Sequence, residues 1–342
     1  MAKMRQANLV DLTSIVLEEA EVPVPGPGEI QVKVVVCGVC GSDVHAFGGK
    51  HPFVHPPIVP GHEFSGTVSE LGKGVGGFEI GERVTVEPSL TCGKCYNCRH
   101  GLYNICAELK VLGCQAPGAF AQFISVPAKK VYKLPENLDF DDGALVEPSA
   151  VGVHAVRKSE LSLGDRIVVL GEGVISLAIV QAAKAAGAGE IIVTGHHEGR
   201  LKIAKELGAD VTFLAGDTVK FIRDNYGVDG IDIVYEAVGV GATMNQAIDI
   251  VRKGAKVIVV GVFGQDPPTK VGLIQDKEID MRGSLMYVQE DYPRTLRLMS
   301  EGSIKTKPLI SARFPLERVG EAFELIRTKR DDTLKVLLDI PQ

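Results

Sequence analysis

Arg166-Ile167-Val168-Val169-Leu170-Gly171-Glu172-Gly173-Val174-Ile175-Ser176 is the stretch that decides the fold. An apolar run of buried-strand character enters a Gly-x-Gly turn, and helical periodicity follows over 174–186 until Gly187 ends it. A glycine turn between a strand and a helix is the setting in which backbone cradles phosphate. Gly171 makes the turn, and Gly173 lets a pyrophosphate approach the N–H groups at the helix start, including those of Val174 and Ile175. The third position of this pattern is normally Gly or Ala; here it is Ser176, which predicts a modest packing cost.

Strands and helices alternate downstream. Strands are expected over 190–194, 211–214, 231–236 and 255–260, with helices over 200–207, up to Tyr226 and over 243–252. This rhythm predicts a parallel sheet covered on both faces, hence an α/β fold. A strand near 283–287, a helix over 292–300 and a last strand over 333–339 complete the chain. Upstream, residues 1 to about 150 are β-rich, with short runs at 29–36, 63–71, 83–87 and 118–126 broken by Gly and Pro. A chain of 342 residues exceeds what one core usually serves, so two domains are expected.

An acidic residue about twenty positions past the glycine turn commonly accepts hydrogen bonds from the adenosine ribose. Here the second strand ends Ile192-Val193-Thr194-Gly195-His196-His197, with no acid at its tip. Without that carboxylate a 2′-phosphate is not repelled, and His196, His197 and Arg200 could meet it; this favours NADP over NAD. Gly239 and Gly261, just past the strands over 231–236 and 255–260, complete the cofactor candidates.

Cys92, Cys95, Cys98 and Cys106 are spaced C-x2-C-x2-C-x7-C. Gaps this short suit tetrahedral zinc and do not suit disulfide geometry. Four thiolates leave the ion no open position, so this zinc is structural. A net charge of −6 and no Lys/Arg run longer than two exclude a basic footprint for nucleic acid. No apolar stretch of membrane-spanning length and no signal-peptide core is present, and the cysteine usage fits a reducing, cytoplasmic setting.

Two further segments carry ligand-type residues: Cys37-Gly38-Val39-Cys40-Gly41-Ser42-Asp43-Val44-His45 and Gly61-His62-Glu63-Phe64, with Glu147-Pro148 where the first domain ends. A scattered thiolate, imidazole and carboxylate suggest a second metal, bound as in catalytic zinc sites with an open position.

With these motifs, the chain resembles the zinc-dependent medium-chain alcohol dehydrogenases, particularly the sorbitol and butanediol dehydrogenase branch. The resemblance rests on Cys40-Gly41-Ser42-Asp43, Gly61-His62-Glu63, the cysteine lobe, Ala144-Leu145-Val146-Glu147-Pro148, Val151-Gly152-Val153-His154 and the glycine turn. It implies a GroES-like β-rich catalytic domain over 1–150 and 288–342, interrupted by a Rossmann doubly wound domain over 151–287. It also implies one catalytic and one structural zinc per subunit. Cys40 and His62 would be direct ligands, with Glu63 or Glu147 as the third, their order left open. Asp43 would orient the ligand histidine, while Ser42 and His45 would pass the alcohol proton outward. Cys37 and Cys114 are expected to be packed thiols.

The implied activity is hydride transfer between NAD or NADP and a secondary alcohol or ketone, most naturally a polyol or diol, in a homodimer or homotetramer. Competing readings are a dehydrogenase of threonine, a simple secondary alcohol or an amino-cyclitol. A non-catalytic zinc scaffold, suggested by Ser176 and Gly195, is a further one.

Overall fold

The computed structural model describes residues 2–329 and 331–341. The chain divides into two compact units: residues up to Glu147 with Val288–Ser300 and from Thr306 onward, and Pro148–Tyr287 with Glu301–Lys305.

The first unit begins with a hairpin of β1 (Lys3–Asp11) and β2 (Ser14–Glu21). Then come β3 (Glu29–Val39), α1 (Gly41–Phe47), β4 (Glu63–Leu71) and β5 (Arg83–Val86). A small lobe holds β6 (Ser89–Leu90), α2 (Tyr96–Arg99) and β7 (Lys110–Val111), and β8 (Phe123–Pro127), β9 (Val131–Lys133) and α3 (Phe140–Ala144) follow.

β3 organises this unit because its valine-rich run is buried on both faces. Its first half pairs with β8, from Glu29↔Pro127 to Lys33↔Phe123, while β4 runs antiparallel along its other edge. Phe64, Phe120 and Phe323 fill the core beneath, together with the inward valines of β3, β4 and β5.

The second unit starts on α4 (Val146–Ser159) and continues with β10 (Arg166–Leu170), α5 (Val174–Ala185), β11 (Glu190–Gly195) and α6 (Glu198–Glu206). β12 (Val211–Leu214), α7 (Thr218–Tyr226), β13 (Ile233–Glu236), α8 (Gly241–Ile250), β14 (Lys256–Val259), α9 (Val271–Asp276) and β15 (Asp280–Gly283) follow. All pairings are parallel, in the order β12-β11-β10-β13-β14-β15. The order reverses direction between β10 and β13, so the carboxyl ends of those strands flank the switch point where such sheets bind ligands. Helix α4 crosses α5 closely: a Cβ on Gly152 would lie 2.6 Å from the carbonyl carbon of Ala178.

The expected strand near 283–287 lies instead at Asp280–Gly283. Its register with β14 runs from Lys256↔Asp280 to Val259↔Gly283, and the left-handed φ of 49° at Met286 breaks the extended run beyond. The chain then returns to the first unit through α10 (Asp291–Ser300), β16 (Ile310–Pro315), α11 (Val319–Thr328) and β17 (Lys335–Asp339). β17 takes the last half of β3, from Val36↔Asp339 to Val39↔Val336.

Candidate metal centres and dinucleotide turn

Strand register assembles the mixed donor set. Gly38 on β3 faces Glu63 on β4, so Cys40, two residues past Gly38, and His62, one before Glu63, emerge side by side. Ligand atoms of Cys40, His62 and Glu63 lie within 4.8 Å of one another. Gly38 is required for this, because a Cβ there would collide with the Glu63 carboxylate. The turn carrying His62 is held by close backbone packing: a Cβ on Gly113 would sit 2.8 Å from Gly61 N, and Gly61 itself has φ 94°.

Asp43 braces both neighbours. Its Oδ2 accepts from Cys40 N–H at 2.9 Å, and its Oδ1 lies 3.7 Å from His62 Nδ1. The Nδ1 atom is buried and makes no hydrogen bond among the described residues. Burial opposes a charged His62, but Asp43 and the Cys40 thiol outweigh it and raise the imidazole well above its ordinary pKa. A soft thiolate, an imidazole and a carboxylate, gathered and largely buried, fit zinc with room for a further ligand.

Lys335 was not anticipated from the sequence. It begins β17 next to the Val336↔Val39 pair, which brings its side chain to the donor set. Its Nζ donates to both Glu63 oxygens at 2.7 and 2.6 Å and to Val39 O at 3.2 Å. Burial would neutralise this lysine, but Glu63 and Cys40 outweigh that and raise its pKa. Glu147, in the first turn of α4, is buried but falls outside the close Cys40–His62–Glu63 group. Ser42 and His45 lie on α1, the first half-buried and the second exposed. Cys37 is fully buried, and burial pushes its thiol well up, as befits a packed residue.

Cys92, Cys95, Cys98 and Cys106 converge in the lobe, with Sγ separations of 3.5 Å (Cys92–Cys106) and 4.0 Å (Cys92–Cys98 and Cys95–Cys106). A tetrahedron of sulfurs around zinc has edges of about 3.8 Å, given Zn–S bonds near 2.3 Å. Backbone N–H groups of Ala107 and Cys98 lower the Cys95 thiol to about 6, whereas burial and the neighbouring thiols push Cys98 up to about 12. Four thiols that cannot all ionise alone are what a bound dication would reconcile. The lobe is tied to the sheet by Glu87, which is fully buried: Lys130 Nζ donates to it at 2.5 Å and Tyr103 and Tyr132 at 3.0 and 3.2 Å, and Ser89 also donates.

In the second unit Gly171 (φ 112°) turns the chain out of β10, and its N–H donates to Thr194 O at 2.9 Å. Gly173 caps α5 with nothing within 4 Å of an added Cβ, so the space over the helix start, at Val174 and Ile175, stays open. Ser176 is fully buried, and its hydroxyl has no hydrogen-bond partner among the described residues. Gly195 ends β11, His196 and His197 follow it, and Arg200 lies on α6. His197 Nδ1 is 2.5 Å from Glu172 Oε1, so the ring is engaged with a protein carboxylate. The strand carries no acid of its own at its tip, and the Glu172 side chain from the glycine turn lies over Gly195.

Glu236 also escaped the sequence reading. It accepts from Val238 N, Gly239 N and Thr243 Oγ1 at 3.0, 2.8 and 2.7 Å, shaping the turn after β13. Gly261 packs against the backbone of Gly239 in the same place.

Residues 26–136 match the family model of the alcohol dehydrogenase GroES-like domain, and 174–301 match that of zinc-binding dehydrogenases. The chain is 34% identical over 342 residues to sorbitol dehydrogenase of Bacillus subtilis strain 168, covering 98% of this chain and 97% of that one. A Sinorhizobium meliloti 1021 protein described as a zinc-binding dehydrogenase, solved with NADP, superposes with TM-score 0.91 at 32% identity, covering 99% and 100% of the two chains. An Escherichia coli CFT073 alcohol dehydrogenase complexed with NADH gives 0.93 at 30% identity, with coverage of 99% and 100%.

A GroES-like unit with a Cys/His/Glu donor set and a doubly wound sheet with a glycine turn together define a metal-dependent dehydrogenase. The chain belongs to the zinc-dependent medium-chain alcohol dehydrogenase family, on its sorbitol dehydrogenase-like branch. Zinc and a nicotinamide dinucleotide are its cofactors.

Proposed function

We propose that this enzyme transfers a hydride between NAD(P) and a secondary alcohol or ketone of a small polyol or diol. The observation that carries the reading is the Cys40–His62–Glu63 donor set formed by the β3–β4 register. Likeness to a sorbitol dehydrogenase supports the substrate class. Cys40, His62 and either Glu63 or Glu147 hold the catalytic zinc, and the four-cysteine lobe holds a structural one. Zinc held there would supply Lewis acidity toward the alcohol or carbonyl oxygen, and a nicotinamide bound at the glycine turn would supply the hydride acceptor or donor.

The protein's own groups bind, orient and move the proton. Asp43 holds the Cys40 backbone by a hydrogen bond and faces His62 Nδ1 with its other oxygen. Ser42 and His45 are three apart on α1 and so share a face. The half-buried hydroxyl takes the alcohol proton and the exposed imidazole passes it to water. Gly171, Gly173 and the start of α5 receive the pyrophosphate. Glu172, lying over Gly195, weighs against the NADP preference expected from the sequence.

Oxidation of sorbitol, butane-2,3-diol, L-threonine, an amino-cyclitol and propan-2-ol, followed by reduced-nicotinamide absorbance, tests the substrate class. The highest kcat/KM is expected for the polyol or the diol; a preference for threonine, the amino-cyclitol or the simple alcohol would overturn it. Among the described residues no helix is long and apolar enough to cross a membrane. Seven free cysteines, four of them gathered for a metal, support a reducing, cytoplasmic setting. A homodimer or homotetramer is the assembly the family resemblance supports, and light scattering of the purified chain tests it.

A further inference from the structure

β11 ends at Gly195 and His196-His197 follow, so the strand tip supplies no acid of its own for the adenosine ribose. That place is filled from the neighbouring strand. Leu170 pairs with Thr194, so the glycine turn after β10 lies beside the tip of β11. Glu172, the middle residue of the turn, is only 7% exposed. A Cβ added to Gly195 would collide with its Oε2 and lie 2.8 Å from its Cγ. Its Oε1 accepts from His196 N–H at 3.1 Å and contacts His197 Nδ1 at 2.5 Å.

From this juxtaposition we infer that Glu172 is the ribose carboxylate of this enzyme. It is a specificity residue supplied by the glycine turn in place of the acid β11 lacks, accepting from the ribose hydroxyls of NAD(H) and repelling a 2′-phosphate. Gly195 and Glu172 form a matched pair: any side chain at 195 would occupy the volume of the carboxylate, so the acid has moved one strand across the sheet. The backbone N–H of His196 and the ring of His197 pin one oxygen and leave the carboxylate's direction settled before a nucleotide arrives. Binding of a 2′-phosphate by His197 and Arg200 would require Glu172 to leave that position and bring the phosphate's charge against it. The inference rests on the reading of Gly171–Ser176 as a dinucleotide turn.

The experiment is fluorescence titration of the full-length protein with NADH and with NADPH, in a chain that has no tryptophan to obscure the signal. Displacement of NADH by 5′-AMP and by 2′,5′-ADP isolates the adenosine half. Wild type is expected to bind NADH more tightly, and 5′-AMP to compete better than 2′,5′-ADP. Glu172→Gln should shift the NADH/NADPH affinity ratio toward NADPH by about tenfold or more, the worth of hydrogen bonds to a charged acceptor. Gly195→Asp alone should weaken NADH binding through crowding, and Glu172→Ala with Gly195→Asp should restore NADH preference by returning the acid to β11. Far-UV circular dichroism of each variant separates these effects from misfolding.

Preference of the wild type for NADPH, or an unchanged ratio in a folded Glu172→Gln, would overturn the inference. Failure of the wild type to bind either nucleotide would overturn the dinucleotide turn itself, a different result from a wrong preference.

Discussion

Lys335 and Glu63 are both nearly fully buried, and the lysine occupies both carboxylate oxygens. In the metal-free protein this pairing is what makes the burial of Glu63 tolerable; with zinc bound, the cation shares that task. Lys335→Met should therefore cost about 3–5 kcal/mol in chelator-treated protein, the usual penalty for stranding a buried charge. It should cost less in the zinc-loaded form, so the rise in melting temperature on adding zinc is larger in the variant than in wild type. An equal rise in both would place the lysine outside the electrostatics of the metal site. Cys40, His62 and Glu63 were legible in the sequence because each sits in a short contiguous motif. Lys335 was not, because it reaches Glu63 across 272 positions of chain through the β17–β3 pairing. Glu172 was read only as the variable residue of a turn: where its side chain goes depends on the space above Gly195, which no one-dimensional pattern records. The contact of His197 with Glu172 was hidden for the same reason.

Between residues and domains, the cysteine lobe stands on Glu87. Lys130, Tyr103 and Tyr132 converge on this one carboxylate, and Tyr103 itself lies between Cys98 and Cys106. Lys130→Met leaves Glu87 buried without its cation and should lower stability by about 3–5 kcal/mol in denaturant unfolding. Burial, with Glu87 adding to it, raises both tyrosines above their ordinary pKa. A folded-state pKa raised in this way stabilises the fold fully below the unfolded value, near 10 for tyrosine, and the contribution is lost as pH climbs past it. Unfolding free energy should thus fall above about pH 10, and Tyr103→Phe with Tyr132→Phe should flatten that fall. A slope unchanged in the double variant would show that the alkaline loss arises elsewhere. The lobe's metal was readable from cysteine spacing alone, but its anchor was not, since Glu87, Tyr103 and Lys130 form no local motif. The strands of the second unit were readable from their alternation with helices. β15 was placed a few residues late because its apolar content continues past Gly283, while the extended backbone does not.

At the scale of the whole chain, the β-rich unit is closed by a segment that returns after the parallel sheet. The length of β3 accounts for this return: one half is taken by β8 and the other by β17. Residues Glu301–Lys305 group with the second unit because Gln181, buried on α5, exchanges two hydrogen bonds with the backbone of Lys305. That exchange was invisible to a reading by hydrophobic period. Among the described residues two donor sets gather in the first unit, one closed by four thiols and one open. The open set is the proposed reaction centre. Its most direct test is zinc content and turnover measured together on the wild type and Cys40→Ala. Two zinc ions per wild-type chain are expected from the two donor sets, and one in the variant. The variant should keep its far-UV spectrum and lose nicotinamide-linked oxidation of every alcohol tried. A folded variant that kept both ions, or turned over at the wild-type rate, would contradict the proposal that Cys40 and His62, with Glu63 or Glu147, form the catalytic metal site.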